Sequence, residues 1–422
     1  MDAKTIQHVN AMPAPTWHRL HMNDADVEIP AGLSVVHEVT TEIPAALAGA
    51  PDAFDAALAA EQVEWEKAHP EKTPEQRAEE ERLRTEEEKT TYGGTAYSRY
   101  QIGADAIEEA RSLARAFETG MGADAYAWMR EVAGDPIVIA APAGEPQEVA
   151  VRVAAVPDAV NVAAIDVVAA PNAEVTVVLS VDSPREGTGV TGTSLRVFAG
   201  TGARVHVVRT QTDDATFIDM DDAGLFTAEN AFIDVRQTVL GGAKAYTGLA
   251  GDIRGTASRI DIDTRYLGHH EQQRDFNYTL RHHGEKTLCN ITANGVLSGT
   301  SKKTYRGTID LVRGCKGAVG QETETVLLAD DGVVNQTVPV ILCNEDDVVG
   351  NHGATIGHVR PEQMFYLASR GLSQEAAENM FVRAIMEQAA IDAPDEPSRD
   401  GVMRLGSHLL DNFEGFLDEE EA

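Results

Sequence analysis

The chain has 422 residues, of which 43% are hydrophobic and 5% aromatic, and its formal net charge is −33. This length suggests about two or three structural units, and the hydrophobic fraction is sufficient for a large core, which excludes a globally disordered chain. The charge argues against binding to nucleic acids or anionic membrane surfaces, because both would repel the chain.

Residues 1–130 are predicted to form an N-terminal helical domain. Apolar residues recur at intervals of three and four positions in "PDAFDAALAAEQVEWEKA" and "IEEARSLARAFETGMGADAYAWMREVA", as in helices with one buried face. Between these stretches, residues 61–89 mix glutamate with lysine and arginine at helical spacing, which predicts a solvated helix or an acidic connector. The glycines at 93–94 indicate an irregular link.

From about residue 134 to residue 359, short β-branched runs such as "EVTVVLSV" and "RVHVVRTQ" alternate with Gly, Asn and Asp. These runs have the period of two that is typical of strands joined by tight turns. Two of them, at 173–178 and 203–208, repeat the same residue pattern in a shared frame. No long helical pattern separates the strands, which argues against an α/β sheet. A β-sandwich and a β-solenoid both fit, and the small residues at regular corners favour the solenoid.

Residues 360–422 are predicted to form a C-terminal helical domain. Pro361 lies in the first turn of one helix and Gly371 is placed as its C-terminal cap, while Ser373 is placed to cap the start of a second helix. The second helix has a broad apolar face that needs a partner. The two helices therefore form either a docking hairpin or a cap on the strand core.

Three cysteines, Cys289, Cys315 and Cys343, lie far apart at nearly even spacing, without a C-x-x-C pair. This spacing fits neither a disulfide framework nor a zinc site. The N-terminus has no apolar segment typical of a signal peptide, and no run approaches the roughly 18 residues needed to span a bilayer. These features predict a soluble, reduced, cytoplasmic protein.

Several short motifs are better explained as structure. The G-x-G-x-x-G match at 187–192 precedes a strand pattern, whereas dinucleotide binding requires a helix there. The acidic stretch at 219–224 resembles the start of an EF-hand but lacks the glutamate at position twelve. The histidine pairs at 269–270 and 282–283 would need a third converging ligand to form a metal site, and solvated or core histidines are the favoured interpretation. No P-loop sequence occurs, so no ATP site is expected in this chain.

The histidine most open to a chemical role is His352, in the stretch "DDVVGNHGATIGHV" at 346–359. It follows two aspartates and lies next to Gly353. Glycines accept positive φ at no steric cost, so the stretch fits a turn in which the histidine is incidental. Composition alone favours this turn over a chemical site.

Residues 345–388 resemble the C-terminal signature of the SufB/SufD family, the scaffold subunits of the Suf iron–sulfur cluster assembly machinery. The matching features are the acidic pair, "HGATIG", the "FYLASRG" helix and the "SQEAA" start of the next helix. The resemblance implies a right-handed parallel β-helix core over residues 131–359, flanked by N-terminal and C-terminal α-helical domains. It also implies a scaffold without enzymatic activity of its own, which pairs with a SufB-type subunit and with SufC, an ABC-type ATPase.

In this family the ATPase docks on the C-terminal helices. The resemblance therefore makes five residues of these helices docking candidates: Phe365, Tyr366, Arg370, Met380 and Phe381. In isolation the chain is also a candidate homodimer.

Within the family the chain resembles SufD more than SufB. SufB-type chains usually carry a glutamate where this chain has Gly353, and a cysteine near the position of Glu324. SufD chains often carry a cysteine where this chain has Gly350. Cys343 stands where SufB-like chains often have a cysteine.

Imidazole and thiolate groups are competent ligands for iron and iron–sulfur clusters. The resemblance therefore makes His352 and Cys343 candidate ligands for a transient iron ion or cluster shared with the partner. Gly350, Gly353 and Gly357 are expected to form the turn that exposes His352.

Two alternatives remain at the level of the sequence. One is a SufB-like scaffold that builds clusters as a homodimer. The other is a carbohydrate-active β-helix enzyme, in which the aspartate pairs at 346–347 or 221–222 act as acid and base or bind calcium. The low aromatic content argues against the second, because sugar-binding β-helices usually present an aromatic stripe.

Overall fold

A parallel β-solenoid with helices at its sides makes up most of the described chain. The computed structural model describes residues 1–14, 21–68, 117–183, 187–358, 360–410 and 413, together with 75, 78 and 82. The strands within these residues are β1 Lys4–Val9, β2 Ala25–Ile29, β3 Ser34–Val35, β4 Val39–Glu42, β5 Ile137–Ala141, β6 Gln147–Ala154, β7 Ala159–Ala169, β8 Glu174–Asp182, β9 Val190–Ala199, β10 Arg204–Thr212, β11 Ile218–Thr227, β12 Phe232–Val239, β13 Lys244–Ile253, β14 Arg259–Gly268, β15 Gln273–His282, β16 Leu288–Leu297, β17 Lys302–Leu311, β18 Val319–Leu328, β19 Val334–Cys343 and β20 Val349–His358. The helices are a short 3-10 helix Ala45–Leu47 and the α-helices α1 Ala53–Ala68, α2 Ala123–Ala133, α3 Pro361–Ser369, α4 Gln374–Ile391 and α5 Glu396–Leu409.

Consecutive strands of the solenoid alternate between two sheets. The even-numbered sheet runs from β20 through β18 down to β4, and the odd-numbered sheet runs from β19 through β17 down to β7 and β3. From β6 onward, each strand is parallel to the strand two places along the chain. The prediction of a β-solenoid is thereby confirmed, with about eight turns. The sandwich alternative is wrong because its sheets are antiparallel.

The interior between the two sheets, called the lumen below, is filled by stacked apolar side chains. Val175 pairs in register with Val205, and Val177 with Val207, and all four are buried. Neighbouring parallel strands place paired residues on the same face, so each coil buries its valines on those of the preceding coil. The shared frame of the runs at 173–178 and 203–208 is therefore the coil repeat.

The N-terminal region contains strands, which corrects the prediction that residues 1–130 are helical throughout. Strands β1 and β2 form an antiparallel pair, and β3 and β4 join the edges of the two solenoid sheets. Val27 and Ile29 are buried at alternate positions of β2. Such short period-two runs lie between polar residues, and a search for long helical patterns misses them. Most of the acidic 61–89 segment and the link at 93–94 lie outside the described residues.

The chain divides into two units, one comprising Met1–Phe54 with Glu118–Ala422 and the other Asp55–Phe117. In the second unit, the described part is mainly helix α1. There Lys67 and Glu64 form an ion pair at 2.6 Å with both side chains largely exposed. Exposed pairs of this kind contribute little stability, and they fit the prediction of a solvated helix at the start of the acidic segment.

The C-terminal helices α4 and α5 cover the even-numbered sheet. Met386 and Val402 pack with Leu240 and Leu267 of the solenoid in one buried cluster. Ser373 caps α4 by accepting a hydrogen bond from the backbone of Ala376 at 3.1 Å, as predicted. Gly371 has a φ of 92° after α3, which confirms its predicted place at the helix end.

No helix among the described residues has both the length and the apolar character needed to cross a membrane.

A buried carboxyl group anchors the chain that leads into α2. Asp222 of β11 is 0% exposed, and its Oδ1 accepts a hydrogen bond from the backbone N–H of Met121 at 2.9 Å. Its Oδ2 has no hydrogen-bond partner. Burial raises the pKa of Asp222 from 3.8 to about 7, because the charged form is poorly solvated there.

We expect the Asp222→Asn variant to be more stable than the natural chain above pH 7, and equally stable below pH 3.8. The folded state binds the Asp222 proton more tightly than the unfolded state, so the natural chain loses stability as pH rises between these values, by about 2–4 kcal/mol. Urea unfolding across this pH range measures the difference. Asp331→Asn, at an exposed aspartate, is the control; the same pH profile for both variants would contradict the assignment.

Candidate functional site

His352 lies in β20, the last strand of the even-numbered sheet, and not in a turn. Gly350, Gly353 and Gly357 belong to the same strand, and none of them has the positive φ of a glycine turn. The prediction that these three glycines form a turn is therefore wrong. The strand is held by ten register pairs with β18. The glycine-rich composition of the segment does not indicate this pairing.

The close packing around Gly350 disfavours a cysteine at that position. A Cβ there would lie 3.1 Å from the Ile341 side chain and 3.3 Å from that of Leu311. Both distances are tighter than ordinary van der Waals contact. A cysteine at Gly350 would require these two neighbours to shift by a few tenths of an ångström.

The last coil, β19 and β20, forms an open end of the solenoid. Each of these strands stands at the edge of its sheet, with no further strand beyond it in the described chain. Val334, Val349 and Ile356 are 45–48% exposed on these strands. Unpaired strand edges with exposed apolar side chains are ready templates for pairing with another chain.

The side chain of His352 shares the lumenal face with Glu322. The two residues pair in register between β20 and β18, and residues paired in this way lie on the same face of a parallel sheet. Two positions before His352, Gly350 faces the lumenal side chains of Ile341 and Leu311, which gives the same orientation for this face. His352 itself is exposed, because no coil covers it.

Beneath the last coil the lumen becomes polar. Lys303 forms a buried ion pair with Glu324 and donates to Thr337 Oγ1 at 3.0 Å, while Thr337 donates to Glu324 Oε2 at 2.7 Å. Burial lowers the pKa of Lys303 to about 8, against the opposing effect of Glu324. The sequence interpretation missed this cluster. The alternation in "QETETV" was the available signal, since it places two glutamates on one strand face.

Glu322 is the least satisfied member of this group. Its side chain is almost fully buried at 3% exposure, and Oε2 has no hydrogen-bond partner. Its carboxylate lies over Gly307 of β17, where any Cβ would collide with it. Burial raises the pKa of Glu322 to about 7, against the opposing effect of a hydrogen bond with Tyr305, and the neighbouring charge of Glu324 adds a smaller increase.

Cys343 lies at a corner of the last coil, in a different sheet from His352. It is exposed, and its thiol donates to the backbone carbonyl of Glu345 at 3.2 Å. The corner at 344–348 separates it from β20. The described residues contain no group of three His, Cys, Asp or Glu side chains that could hold a metal ion.

The three cysteines stand at the same corner of successive coils. Cys289 is the second residue of β16, Cys315 lies between β17 and β18, and Cys343 ends β19. Burial raises the pKa of both Cys289 and Cys315 to about 12, which keeps these thiols protonated. The cysteines occur once per coil near this corner, but they are not register partners, since Cys289 pairs with Gly320 and Cys343 with Leu311.

The paired histidines are structural, as interpreted from the sequence. His282 is buried, with its Nε2 3.1 Å from Cys289 Sγ and its Nδ1 2.7 Å from Thr287 Oγ1. His283 faces Asp252 at 2.8 Å, and His269 lies 2.6 Å from Ser298 Oγ. Each of these rings therefore has its own partner.

The buried aspartates of β11 do not support the calcium or carbohydrate alternatives. Asp219 and Asp221 form ion pairs with Arg209 at 2.9 and 3.1 Å. Asp221 and Asp222 are neighbours on a strand and point to opposite faces. Both are nearly inaccessible to solvent, so they cannot act together on a sugar.

Helix α3 presents the predicted docking residues to solvent. Phe365 is 77% exposed and Tyr366 56% exposed, and the guanidinium of Arg370 lies 5.1 Å from the Tyr366 ring centre. Met380 of α4 is 41% exposed, whereas Phe381 is half-buried. Exposed aromatic side chains of this size are typical of protein-binding surfaces.

Fold and site together define a class: a parallel β-solenoid whose last coil leaves a histidine at an unpaired edge, beside helices with exposed aromatic residues. A family model described as "SUF system FeS cluster assembly, SufBD core domain" matches residues 152–385. This match covers more than half of the chain. The chain belongs to this family, that of the SufB and SufD iron–sulfur cluster assembly proteins.

Individual relatives are similar over parts of their length. The SufD protein of Escherichia coli is 26% identical over 243 residues, or 57% of each chain. The SufD protein of Bacillus subtilis is 29% identical over 145 residues, which are 34% of this chain and 33% of the relative. The SufB protein of B. subtilis is 30% identical over 125 residues, which are 30% of this chain and 27% of the relative. The chain thus spans between about a quarter and little over half of these relatives.

We expect Lys303→Met to lower the free energy of unfolding by about 3–5 kcal/mol, because it leaves the Glu324 charge buried without its partner. The double variant Lys303→Met/Glu324→Leu should recover most of this loss, since both charges are then removed. Urea unfolding of Lys303→Met, of Glu324→Leu and of the double variant measures the coupling. Equal losses in Lys303→Met and in the double variant would show that the ion pair is not what stabilises the cluster.

Proposed function

We propose that this chain is a SufD-type scaffold subunit of an iron–sulfur cluster assembly complex. It pairs with a SufB-type subunit and works with a SufC-type ATPase, and iron or a nascent cluster is its cargo. The observation that carries the proposal is the open last coil, which places His352 on an exposed lumenal face beside two unpaired strand edges. Family membership and the similarity to two SufD proteins support it.

The SufD assignment rests on residues of the last two coils. Glu324 occupies the region where SufB-type chains carry a cysteine, and it is committed to the ion pair with Lys303. Gly353 stands where SufB-type chains carry a glutamate. In this proposal the thiolate ligands of the cluster therefore come mainly from the partner, and this chain contributes the imidazole of His352.

Pairing uses the edges of β19 and β20. Both edges offer free backbone donors and acceptors, and strands of a partner can extend both sheets there. Burial of Val334, Val349 and Ile356 against the partner adds apolar contact area. The same edges are present in every copy, so an isolated chain is expected to pair with itself.

The ATPase docks on α3 in this proposal, and the scaffold itself catalyses no reaction. ATP binding and hydrolysis by the partner would move α3 and, through the solenoid, the edge where the two scaffold subunits meet. Phe365 and Tyr366 are the anchors, because they are the most exposed large apolar residues of the described chain.

His352→Ala is expected to slow cluster formation about tenfold or more in a complex reconstituted with SufB-type and SufC-type partners, since loss of a ligand or its support typically weakens metal binding to that degree. The visible absorbance of the cluster measures the rate, and size-exclusion chromatography checks that the complex still forms. His358→Ala is the matched control, because it changes the same residue type in the same exposed strand. Cluster formation at the natural rate in His352→Ala would refute the ligand role.

Phe365→Ala and Tyr366→Ala should each weaken ATPase binding by about 2 kcal/mol, the size of effect typical of aromatic anchors in protein interfaces. Isothermal titration of the ATPase into the purified chain measures this loss. The fold should be unaffected because both side chains are mainly exposed. Leu288→Ala, at a partly exposed leucine of the solenoid, is the control. Undiminished binding by both aromatic variants would place the ATPase elsewhere.

A further inference from the structure

We propose that Glu322 binds the iron cargo together with His352, so that this chain supplies a nitrogen and a carboxylate oxygen ligand from two neighbouring coils. The inference rests on the proposed function, because it concerns the same open end of the solenoid. It goes further by assigning a second ligand, and a nitrogen and oxygen ligand pair of this kind suits a divalent transition-metal ion such as Fe²⁺.

Register places the two side chains together. Glu322 and His352 are paired residues of the neighbouring parallel strands β18 and β20. Strands in a sheet lie about 4.8 Å apart, and paired residues share a face. Register therefore puts His352 on the same lumenal face as Glu322, one coil nearer the open end.

Glu322 keeps one oxygen without a hydrogen bond, although the Tyr305 hydroxyl is close to its carboxylate, whereas Glu324 is fully occupied. Glu324 is occupied by the ammonium of Lys303 and the hydroxyl of Thr337. Glu322 Oε2 has no hydrogen-bond partner although the residue is 3% exposed. The cluster thus holds two carboxylates for one ammonium, and burying a carboxylate without a full set of partners is costly. Binding of a cation would supply the missing partner.

The opposite wall of the lumen is shaped for this carboxylate. Gly307 of β17 faces Glu322, and a Cβ at that position would collide with both carboxylate oxygens. Gly307 pairs in register with Pro339 of β19, which has no ionisable group. The carboxylate therefore has space in the lumen and no competing charge from that position of the last coil.

Fe²⁺ accepts imidazole nitrogen and carboxylate oxygen as ligands, as in enzymes that use two histidines and a carboxylate. Two ligands do not complete a coordination sphere, and the described residues offer no third His, Cys, Asp or Glu that would form a metal-binding group. The remaining positions are open to water or to groups of the partner. Such an incomplete site suits an ion that must be passed on.

The test is titration of the purified full chain with Co²⁺ under anaerobic conditions, followed by its visible absorption as a spectroscopic substitute for Fe²⁺. The natural chain should bind one Co²⁺, and Glu322→Gln should weaken binding about 10- to 100-fold. Asp331→Asn removes one negative charge from an exposed position near the last coil and should leave binding unchanged. Glu322→Asp keeps the charge on a shorter side chain, and we expect intermediate affinity.

The outcomes separate this inference from the proposed function. If His352→Ala loses Co²⁺ but Glu322→Gln binds it like the natural chain, Glu322 is not a ligand and the role of His352 stands. If His352→Ala binds normally, the ligand role of His352 fails as well. No Co²⁺ binding by the natural chain would overturn the paired site.

Stability provides a second readout. If Glu322 is a ligand and not a structural residue, Glu322→Gln should unfold at the same or a higher urea concentration, because it removes a poorly compensated buried charge. Loss of stability together with loss of binding in both Glu322→Gln and Glu322→Asp would indicate a structural role and overturn the proposal.

Discussion

The coil-to-coil register of the parallel strands is the constraint on which the rest of the molecule depends. Each lumenal side chain lies on the residue at the same position of the preceding coil, as Val205 lies on Val175. Stacking of this kind buries the apolar face of each coil only when another coil follows. Where no cap follows, the last coil of a solenoid leaves its lumenal face uncovered, and in the described chain that coil carries His352.

The composition of the lumen changes toward this end. Aliphatic side chains fill most of it, but the last coils place Lys303, Glu322 and Glu324 inside. Buried charges are expensive unless they are paired, and the ion pair of Lys303 with Glu324 satisfies only two of the three. The polar cluster therefore leaves the Glu322 carboxylate incompletely compensated next to the open end.

Much of the fold could be predicted from the sequence, because its signals are local or periodic. The repeated frame of the strand runs, the cap at Ser373 and the glycine at Gly371 can all be recognised from short segments. The strands of the N-terminal region were missed because their alternation extends over only a few residues. The stretch around His352 was misinterpreted as a turn, since pairing with β18, which lies a full coil earlier in the chain, decides its conformation. The same long-range pairing brings Glu322 beneath His352, and no spacing rule for a single strand reveals it.

The cysteine corner has a practical consequence. All three thiols stand along one edge of the solenoid, yet Cys289 and Cys315 are buried and Cys343 is exposed. Thiol-directed reagents need an accessible sulfur atom, so a fluorophore or spin label should attach to Cys343 in the natural chain without prior removal of the other cysteines. A label there would sit on the coil that we propose meets a partner, so a change of its signal on mixing with that partner would report pairing in an unaltered sequence.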